Sequence, residues 1–280
     1  MTALTLSPLG SWMGRNLATP ELVAHLESHG YGAVWIGGSP SDPAVLAPLL
    51  EAGERIVIAT GVVNIWSSTA EEVAAGALGL LERWPDRFLL GIGAGHPERN
   101  PDAARPYEAV VRYLDALDAA GVPRDRVALA ALGPRMLRLA GERTAGAHPY
   151  LTTPAHTALA RDELGAGPLL VPEQRAVLRV DAEGARAIGR PSVATPYLTM
   201  KNYRNSLLRL GYAEEELETG SDRLVDELVA WGDDAAVAAR LREHLAAGAD
   251  QVAVQLLGPE EERLDGFARV AAAFAASGTE

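Results

Sequence analysis

The chain has 280 residues, and 25 Lys and Arg against 37 Asp and Glu give it a formal net charge of −12. So acidic a chain is repelled by nucleic acid and by anionic membrane surfaces, and we expect neither as a partner. There is no Cys, which excludes disulfides, thiolate metal sites and a cysteine nucleophile. The first residues lack a basic segment followed by an apolar run, and no apolar stretch approaches the roughly 18 residues that cross a bilayer. We therefore expect a cytoplasmic protein.

Short β-branched or Leu-rich runs alternate with longer segments of helical period, which is typical of repeated βα units. The pattern predicts eight strands, at residues 4–8, 33–37, 56–63, 88–93, 127–132, 147–152, 176–180 and 251–257. Eight strands with interleaved helices predict an α/β fold, a (β/α)8 TIM barrel forming a single domain over residues 1–280. The long spacing between the seventh and eighth strands predicts a helical insertion at about 184–233. A doubly wound sheet would carry a phosphate-binding glycine fingerprint after its first strand, and residues 9–12 do not match one.

Several helices have recognisable first residues. Thr19 stands before Pro20 and Thr153 before Pro154, so a capping hydroxyl precedes a first-turn proline. Residues 68–72 offer two overlapping capping boxes, one of Ser68 with Glu71 and one of Thr69 with Glu72. The apolar face that follows the boxes consists of Val73, Ala77, Leu80 and Leu81. These signals predict helices that start at about residues 20, 70, 134 and 154.

Ligands of a barrel bind at the carboxyl ends of its strands, so the residues that follow each strand are candidate contacts. The candidates for cofactor binding are Gly37, Gly38 and Ser39 after the second strand, Gly61, Val62 and Asn64 after the third, Gly93, Gly95 and His96 after the fourth, and Gly133, Pro134, Arg135 and Met136 after the fifth. Together these segments favour a planar cofactor that carries phosphate.

Two of the segments suggest specific chemistry. The glycines at 91, 93 and 95 would let a flat ligand approach the backbone, and His96 beside them has a pKa suited to proton transfer. Gly133 and Pro134 open a helix, whose free amides and dipole attract an anion. Close packing of strands and ordinary helix capping explain the same residues without a ligand. His25 and His29 lie four residues apart without a His-Glu-x-x-His motif, so we expect no metal site.

Five segments, in the expected order, resemble the luciferase-like flavin and deazaflavin oxidoreductases. They are residues 30–36, 58–62, 87–95, 133–137 and 246–252, and the likeness extends over roughly residues 20–258. The branch that they resemble most uses coenzyme F420, a phosphorylated 5-deazaflavin with a polyglutamate tail.

This resemblance implies a TIM barrel with an insertion, and a deazaflavin bound at its mouth. In the family, a non-proline cis peptide bulges the third strand behind the ring, and the matching bond is Gly61–Val62. Residues 133–136 would hold the cofactor phosphate. The position matching His96 carries an acidic proton donor in related enzymes, so His96 is the candidate general acid. The implied reaction is hydride transfer between the deazaflavin C5 and a small organic substrate, and relatives are often homodimers.

The chain also departs from the family pattern. Many relatives have histidine after the second strand, where this sequence has Gly37, Gly38 and Ser39, so the proton would come from His96, Glu98 or the substrate. Two alternatives therefore stay open. One is an FMN-dependent monooxygenase supplied with reduced flavin by a separate reductase, and the other is a non-catalytic barrel that binds flavin or deazaflavin. Candidate substrate-lining residues in the insertion are Tyr197, Tyr203 and Arg204.

Overall fold

The computed structural model describes residues 4, 6–95 and 105–276. Within them, the strands are β1 (Leu9–Gly14), β2 (Ala33–Gly37), β3 (Val57–Thr60), β4 (Val63–Asn64), β5 (Phe88–Gly93), β6 (Val127–Leu129), β7 (Gly146–Ala147), β8 (Leu169–Leu170), β9 (Glu173–Leu178), β10 (Val229–Gly232) and β11 (Val252–Leu256). The prediction of an α/β fold is confirmed, and the described residues form eleven strand segments where the sequence predicts eight strands.

The helices lie between the strands. They are α1 (Pro20–Ser28), α2 (Ala47–Glu51), α3 (Ala70–Arg83), α4 (Pro106–Ala119), α5 (Pro134–Arg143), α6 (Pro154–Leu164), α7 (Ala182–Ala194), α8 (Lys201–Arg209), α9 (Glu214–Thr219), α10 (Asp222–Leu228), α11 (Asp234–Ala246) and α12 (Arg263–Ala276). The predicted helix starts are confirmed. Thr19 and Thr153 cap α1 and α6, and Thr69 and Glu72 form both hydrogen bonds of the capping box of α3.

Ten strands form one parallel sheet in the order β10-β9-β11-β1-β2-β3-β5-β6-β7-β8, and β4 pairs with β5. Only Val171 and Pro172 separate β8 from β9, although β8 pairs with β7 and β9 pairs with β11. The amide of Val171 donates to Ala147 and that of Ala253 donates to the carbonyl of Pro172. The sheet is therefore curled, and the carboxyl ends of its parallel strands lie on one side.

Several predicted strand limits need correction. The first strand is residues 9–14 and not 4–8, because the chain at Leu9 pairs with β11 and the chain at Ser11 pairs with both β11 and β2. The predicted strand at 147–152 is only the two residues of β7, and the predicted strand at 176–180 starts earlier, at Glu173. The predicted strand at 56–63 is interrupted after Thr60.

Residues 182–228 hold the four helices α7 to α10, which we call the helical segment. The structure places it between β9 and β10, where the sequence predicts several short helices. Its buried apolar side chains, among them Leu198, Leu207 and Leu224, pack into a cluster that includes Val177 and Val229 of the sheet. The main cluster lies between the sheet and the outer helices, and contains Val23, Val34, Phe88, Val110 and Val254 among others.

Candidate active site

The carboxyl ends of β2, β3, β5, β6 and β7 open into a cavity of about 770 Å³. This volume is within the range of small-molecule and cofactor sites. The lining residues are Trp12, Gly38, Gly61, Val62, Ala94, Gly95, Pro106, Ala130, Ala131, Leu132, Gly133, Met136, His148, Tyr150, Tyr197, Lys201, Asn202, Tyr203 and Asn205. The cavity is thus formed jointly by the sheet and by the helical segment.

Six of the predicted site residues line this cavity: Gly38, Gly61, Val62, Gly95, Gly133 and Met136. Six others lie beside it and are not among the lining residues: Gly37, Ser39, Asn64, Gly93, Pro134 and Arg135. His96, the predicted general acid, and Glu98 lie outside the described residues. Of the three candidates in the helical segment, Tyr197 and Tyr203 line the cavity, whereas Arg204 pairs with Glu214.

Strand β3 ends in a bulge whose peptide faces the cavity. The bond between Gly61 and Val62 is cis, as the family resemblance implies. The amide of Gly61 donates to the carbonyl of Ile36 at 2.8 Å and lies 3.2 Å from the Ser39 hydroxyl oxygen. Ser39 in turn donates to Ile36 at 2.5 Å. Ser39 therefore holds the bulge in place from behind, although it is not in the cavity itself.

The glycines of β5 make room for this bulge. A side chain at Gly91 would place its Cβ 1.9 Å from the carbonyl oxygen of Thr60, and one at Gly93 would come within 2.9 Å of Val62. The hydroxyl of Thr60 donates to the carbonyl of Gly91 and accepts from its amide, both at 2.7 Å. The close-packing interpretation thus explains these two glycines, while Gly95 lies at the cavity.

Helix α5 presents its first turn to the cavity. Gly133 is the N-cap, has no side chain to cap the helix, and is followed by Pro134, as predicted. Pro134 has no N–H, and the amides of Met136 and Leu137 both donate to the carbonyl of Gly133 at 3.0 Å. The Arg135 amide and the positive end of the helix dipole therefore face this region. Arg209 of α8 approaches from the other side, with Nη2 3.8 Å from the position of a Cβ on Gly133. The electrostatics suit an anionic group.

Arg135 is at the edge of this anion-binding region. Its side chain is 65% exposed and lies 3.7 Å from the Glu108 carboxylate, with its guanidinium 3.6 Å from the centre of the Tyr107 ring. Arg135 is therefore available from solvent and is oriented by two residues of α4.

Trp12 occupies the space above the end of β2. A Cβ on Gly37 would lie 2.1 Å from the Cζ2 atom of the indole, and one on Gly61 would lie 3.1 Å from its Nε1. That indole nitrogen is buried and has no hydrogen-bond partner among the described residues. The ring therefore fills the end of β2, where the family resemblance places histidine in relatives.

His148 is a cavity residue that the sequence prediction missed. It follows β7 directly and stacks on Trp35, with 4.0 Å between ring centres. Its Nδ1 lies 2.7 Å from the carbonyl of Val171, which can only accept, so Nδ1 carries the proton. Burial lowers the pKa of His148 to about 4. The ring is therefore neutral at pH 7, with a lone pair on Nε2 next to Gly61.

Four aromatic side chains form one side of the cavity, and we call them the aromatic wall: Trp12, Tyr150, Tyr197 and Tyr203. The distances between successive ring centres are 4.8, 5.5 and 4.9 Å. Small residues make up another part of the lining, which we call the small side: Gly61, which adjoins Trp12, and Ala94, Gly95, Ala130 and Ala131. The sequence does not mark Tyr150 as a site residue, because it predicts a strand over residues 147–152.

A buried ion pair stands behind the aromatic wall. Arg175 is 2% exposed and donates from Nη2 to the Tyr150 hydroxyl at 2.9 Å and from Nη1 to the Ser192 hydroxyl at 3.1 Å. Glu173 is fully buried, and its Oε1 lies 3.9 Å from Nε of Arg175. Burial raises the pKa of the Glu173 carboxyl, and Arg175 and the Leu151 amide oppose that shift.

The other described histidines are held by hydrogen bonds within the fold. His25 and His29 contact the backbone carbonyls of Leu264 and His25 at 2.9 and 2.8 Å. His244 lies between Thr157 and Gln174 at 2.7 and 2.8 Å. In residues 4, 6–95 and 105–276, no group of three or more His, Asp or Glu side chains could hold a metal ion.

The curled parallel sheet, with a ligand-sized cavity at the carboxyl ends of its strands, defines a TIM-barrel-like α/β protein of the kind that binds cofactors or substrates there. Residues 14–119 match the family model of the luciferase-like monooxygenases. The predicted resemblance is confirmed by this match and by similar structures that include F420-dependent enzymes.

Three solved structures are similar over nearly the whole chain. An F420-dependent secondary alcohol dehydrogenase in complex with an F420-acetone adduct has a TM-score of 0.75 at 14% identity, covering 96% of this chain and 99% of that one. The coenzyme F420-dependent tetrahydromethanopterin reductase from Methanopyrus kandleri has a TM-score of 0.68 at 17% identity, covering 98% of this chain and 99% of that one. The oxygenating constituent of 3,6-diketocamphane monooxygenase from Pseudomonas putida, in complex with FMN, has a TM-score of 0.66 at 14% identity, covering 96% of this chain and 98% of that one.

These TM-scores show that the chain shares the fold of the three structures. No curated protein matches the sequence. Across the described part of the chain, no helix combines the length and apolar character needed to cross a membrane.

Proposed function

We propose that the protein is a coenzyme F420-dependent oxidoreductase, in which a hydride passes between C5 of the deazaflavin and a carbon of a small organic substrate. The observation that carries the proposal is the pairing of two sites at one cavity: a side built from small residues, and the uncapped first turn of α5. A planar ring and a phosphate on the same molecule would satisfy both. The F420-dependent enzymes among the similar structures support this choice.

The described residues fit such a cofactor. The small side of the cavity, with Gly61, Ala94 and Ala130, offers a surface without long side chains for a flat ring. Gly133 and Met136 border the first turn of α5, where the Arg135 amide and the positive end of the helix dipole would attract phosphate. Arg209 and Arg135 would add positive charge near the anionic tail. In this proposal the bound deazaflavin supplies the hydride chemistry. The protein residues bind and orient the cofactor and exclude water from the cavity.

We also propose the finer architecture on which this function depends, a (β/α)8 barrel in which the helical segment is an insertion between the seventh and eighth barrel strands. In this view β8 and β9 together form the seventh strand and β11 forms the eighth. The helical segment would then close the cavity above the cofactor, because Tyr197, Lys201 and Asn205 are among the lining residues.

The proton that accompanies the hydride needs a donor and acceptor. We retain His96 for this role, although it lies outside the described residues. Among the described cavity residues, His148 is held neutral with a buried Nε2, and its Nδ1 is engaged by Val171. His148 therefore suits orientation of a neighbouring group better than repeated proton exchange at pH 7.

The test is a titration of F420 fluorescence with purified protein, in parallel with a titration of FMN. Quenching of F420 at micromolar concentrations, with much weaker binding of FMN, supports the proposal. Absence of F420 binding in that range overturns it. A His96→Ala variant that binds F420 but turns over at the wild-type rate would remove His96 from the mechanism.

A second candidate is an FMN-dependent monooxygenase on the same fold. It is favoured by the match of residues 14–119 to the luciferase-like monooxygenases and by the FMN-bound structure from Pseudomonas putida. Tight binding of FMN in the parallel titration, together with oxygen consumption when reduced FMN is added, would support this candidate. Retention of cofactor without turnover of any donor would indicate a non-catalytic barrel.

A further inference from the structure

The cavity has two chemically different sides, and only one of them suits a cofactor ring and its phosphate. The small side adjoins the bulge at Gly61 and the first turn of α5. The aromatic wall lines the same cavity with four rings whose successive planes are tilted by 47°, 47° and 75°. This tilt presents both ring faces and ring edges, which are the surfaces that aromatic ligands contact. The aromatic wall is thus a separate surface for a second molecule.

The aromatic wall is fixed in position. The hydroxyl of Tyr150 accepts from Arg175 at 2.9 Å and donates to Gln255 at 3.0 Å. The Arg175 guanidinium lies 5.2 Å from the centre of the Tyr150 ring and 4.8 Å from that of Tyr197. The same guanidinium donates to Ser192 of α7, so one buried side chain connects β9, the aromatic wall and the helical segment. A ligand therefore meets rings that are already ordered.

The charges near the aromatic wall favour an uncharged ligand. A cation on the ring faces would lie close to the positive charge of Arg175, which already interacts with two of the rings. An anion finds little attraction, because Arg175 is 2% exposed and adjoins the carboxylate of Glu173. The Tyr150 hydroxyl is already used on both its donor and acceptor sides. The rings of the wall therefore offer contacts to an uncharged aromatic group, and the charged side chain that lines the cavity beside them is Lys201.

We propose that the aromatic wall binds an uncharged aromatic group of the substrate. This rests on the proposed function, since the substrate is the molecule that shares the cavity with the cofactor. Tyr197 is the specificity-determining residue that we single out, because it contacts both Tyr150 and Tyr203 and belongs to the helical segment. The substrate class is thus a small organic molecule that carries an uncharged aromatic ring.

The test compares two probes of similar size, benzyl alcohol and cyclohexylmethanol, with benzoate as a charged probe. Dissociation constants are measured by saturation-transfer difference NMR on the full-length protein, both alone and saturated with F420. Ring contacts contribute about 0.5–1.5 kcal/mol beyond burial, which corresponds to about a two- to tenfold preference. We expect benzyl alcohol to bind more tightly than cyclohexylmethanol by that factor, and more tightly than benzoate.

Two substitutions at one position sharpen the comparison. Tyr197→Leu removes the ring and is expected to reduce the preference for benzyl alcohol by about two- to tenfold. Tyr197→Phe keeps the ring and is expected to preserve the preference. Equal binding of the two uncharged probes to the wild-type protein, or an equal loss of both in Tyr197→Leu, overturns the inference.

The F420 titration separates this inference from the proposed function. If F420 does not bind but the preference for benzyl alcohol persists and depends on the ring at 197, the proposed function fails and the aromatic site stands. If F420 binds and the preference is absent, the inference fails alone.

Discussion

The indole of Trp12 occupies the space that a side chain at Gly37 would need. Trp12 and Gly37 lie on neighbouring strands, with Gly14 opposite Gly37 in the register of β1 and β2. A Cβ on Gly37 would lie only 2.1 Å from the indole ring. A histidine at the end of β2, which the family resemblance implies for many relatives, would need the space that Trp12 takes here. The glycine at position 37 is therefore explained by the bulky side chain of Trp12 on the neighbouring strand.

The first prediction concerns the steric contact between Trp12 and position 37. Gly37→Ala is expected to destabilise the fold by about 1–3 kcal/mol, because the added methyl group overlaps the indole. In a Trp12→Ala background the same change is expected to cost much less, since the space is then free. Urea unfolding of the two single variants and the double variant gives the coupling energy. Additive effects would show that the two positions are independent.

The second prediction concerns the glycines that admit the β3 bulge. Gly91→Ala is expected to cost about 3 kcal/mol, since its Cβ would lie 1.9 Å from the Thr60 carbonyl oxygen and the backbone cannot move aside cheaply. Gly79→Ala is the matched control. It lies in α3, has no atom within 4 Å of the added Cβ and is expected to gain about 1 kcal/mol from helix propensity. Thermal or urea unfolding measures the change in the free energy of unfolding for both variants. Similar changes in the two would contradict the conclusion that Gly91 is required by close packing against Thr60.

The third prediction concerns the charge at the first turn of α5. Arg135→Gln is expected to weaken F420 binding by about two- to fivefold at low salt, as expected for an exposed charge near an anion. Added salt should shrink the difference from wild type. Arg138→Gln is the control on the same helix, because Arg138 lies beyond the first turn of α5 and its guanidinium pairs with Glu163. Equal effects of the two substitutions would argue against a local role for Arg135.

The fourth prediction concerns stability at low pH. Burial lowers the pKa of His244 to about 3, and Arg240 and His156 add to the effect. In the unfolded chain its pKa is near the ordinary value of about 6.5. Between those values the unfolded state binds the additional proton, so this contribution to the free energy of unfolding falls as the pH decreases from about 6.5 to 3. Each unit of the shift corresponds to about 1.4 kcal/mol.

A His244→Gln variant isolates that contribution. The excess stability of the wild type over the variant should be largest above pH 6.5 and should shrink as the pH decreases. Urea unfolding of both proteins across this pH range measures the excess. A constant difference would show that His244 titrates alike in the folded and unfolded states.

Local signals predicted several elements accurately. The strands at 33–37 and 88–93 have the predicted limits, because both are continuous apolar runs whose residues are all buried. The box of Thr69 and Glu72 marks the start of α3, since its hydrogen bonds form between residues three apart. Such features depend on neighbours in the chain, and the sequence shows them directly.

Other elements depend on partners far along the chain. β1 contains Gly10 and Gly14, and glycines disfavour a strand prediction. The space beside Gly10 is taken by Gln251, whose Oε1 would lie 2.6 Å from a Cβ there. β9 begins with Glu173, Gln174 and Arg175, polar residues that become buried because Leu151, His244 and Tyr150 provide hydrogen bonds to them.

The sequence by itself determined the α/β class, the helix starts and the segments that resemble a flavin- and deazaflavin-using family, because each is encoded by residues close together in the chain. The tertiary structure alone decided that Trp12, His148 and Tyr150 share a cavity with Tyr197 and Tyr203. These residues come from β1, from the loop after β7 and from the helical segment. Only the curl of the sheet brings them together, since no local pattern records the distance between residues more than 100 positions apart.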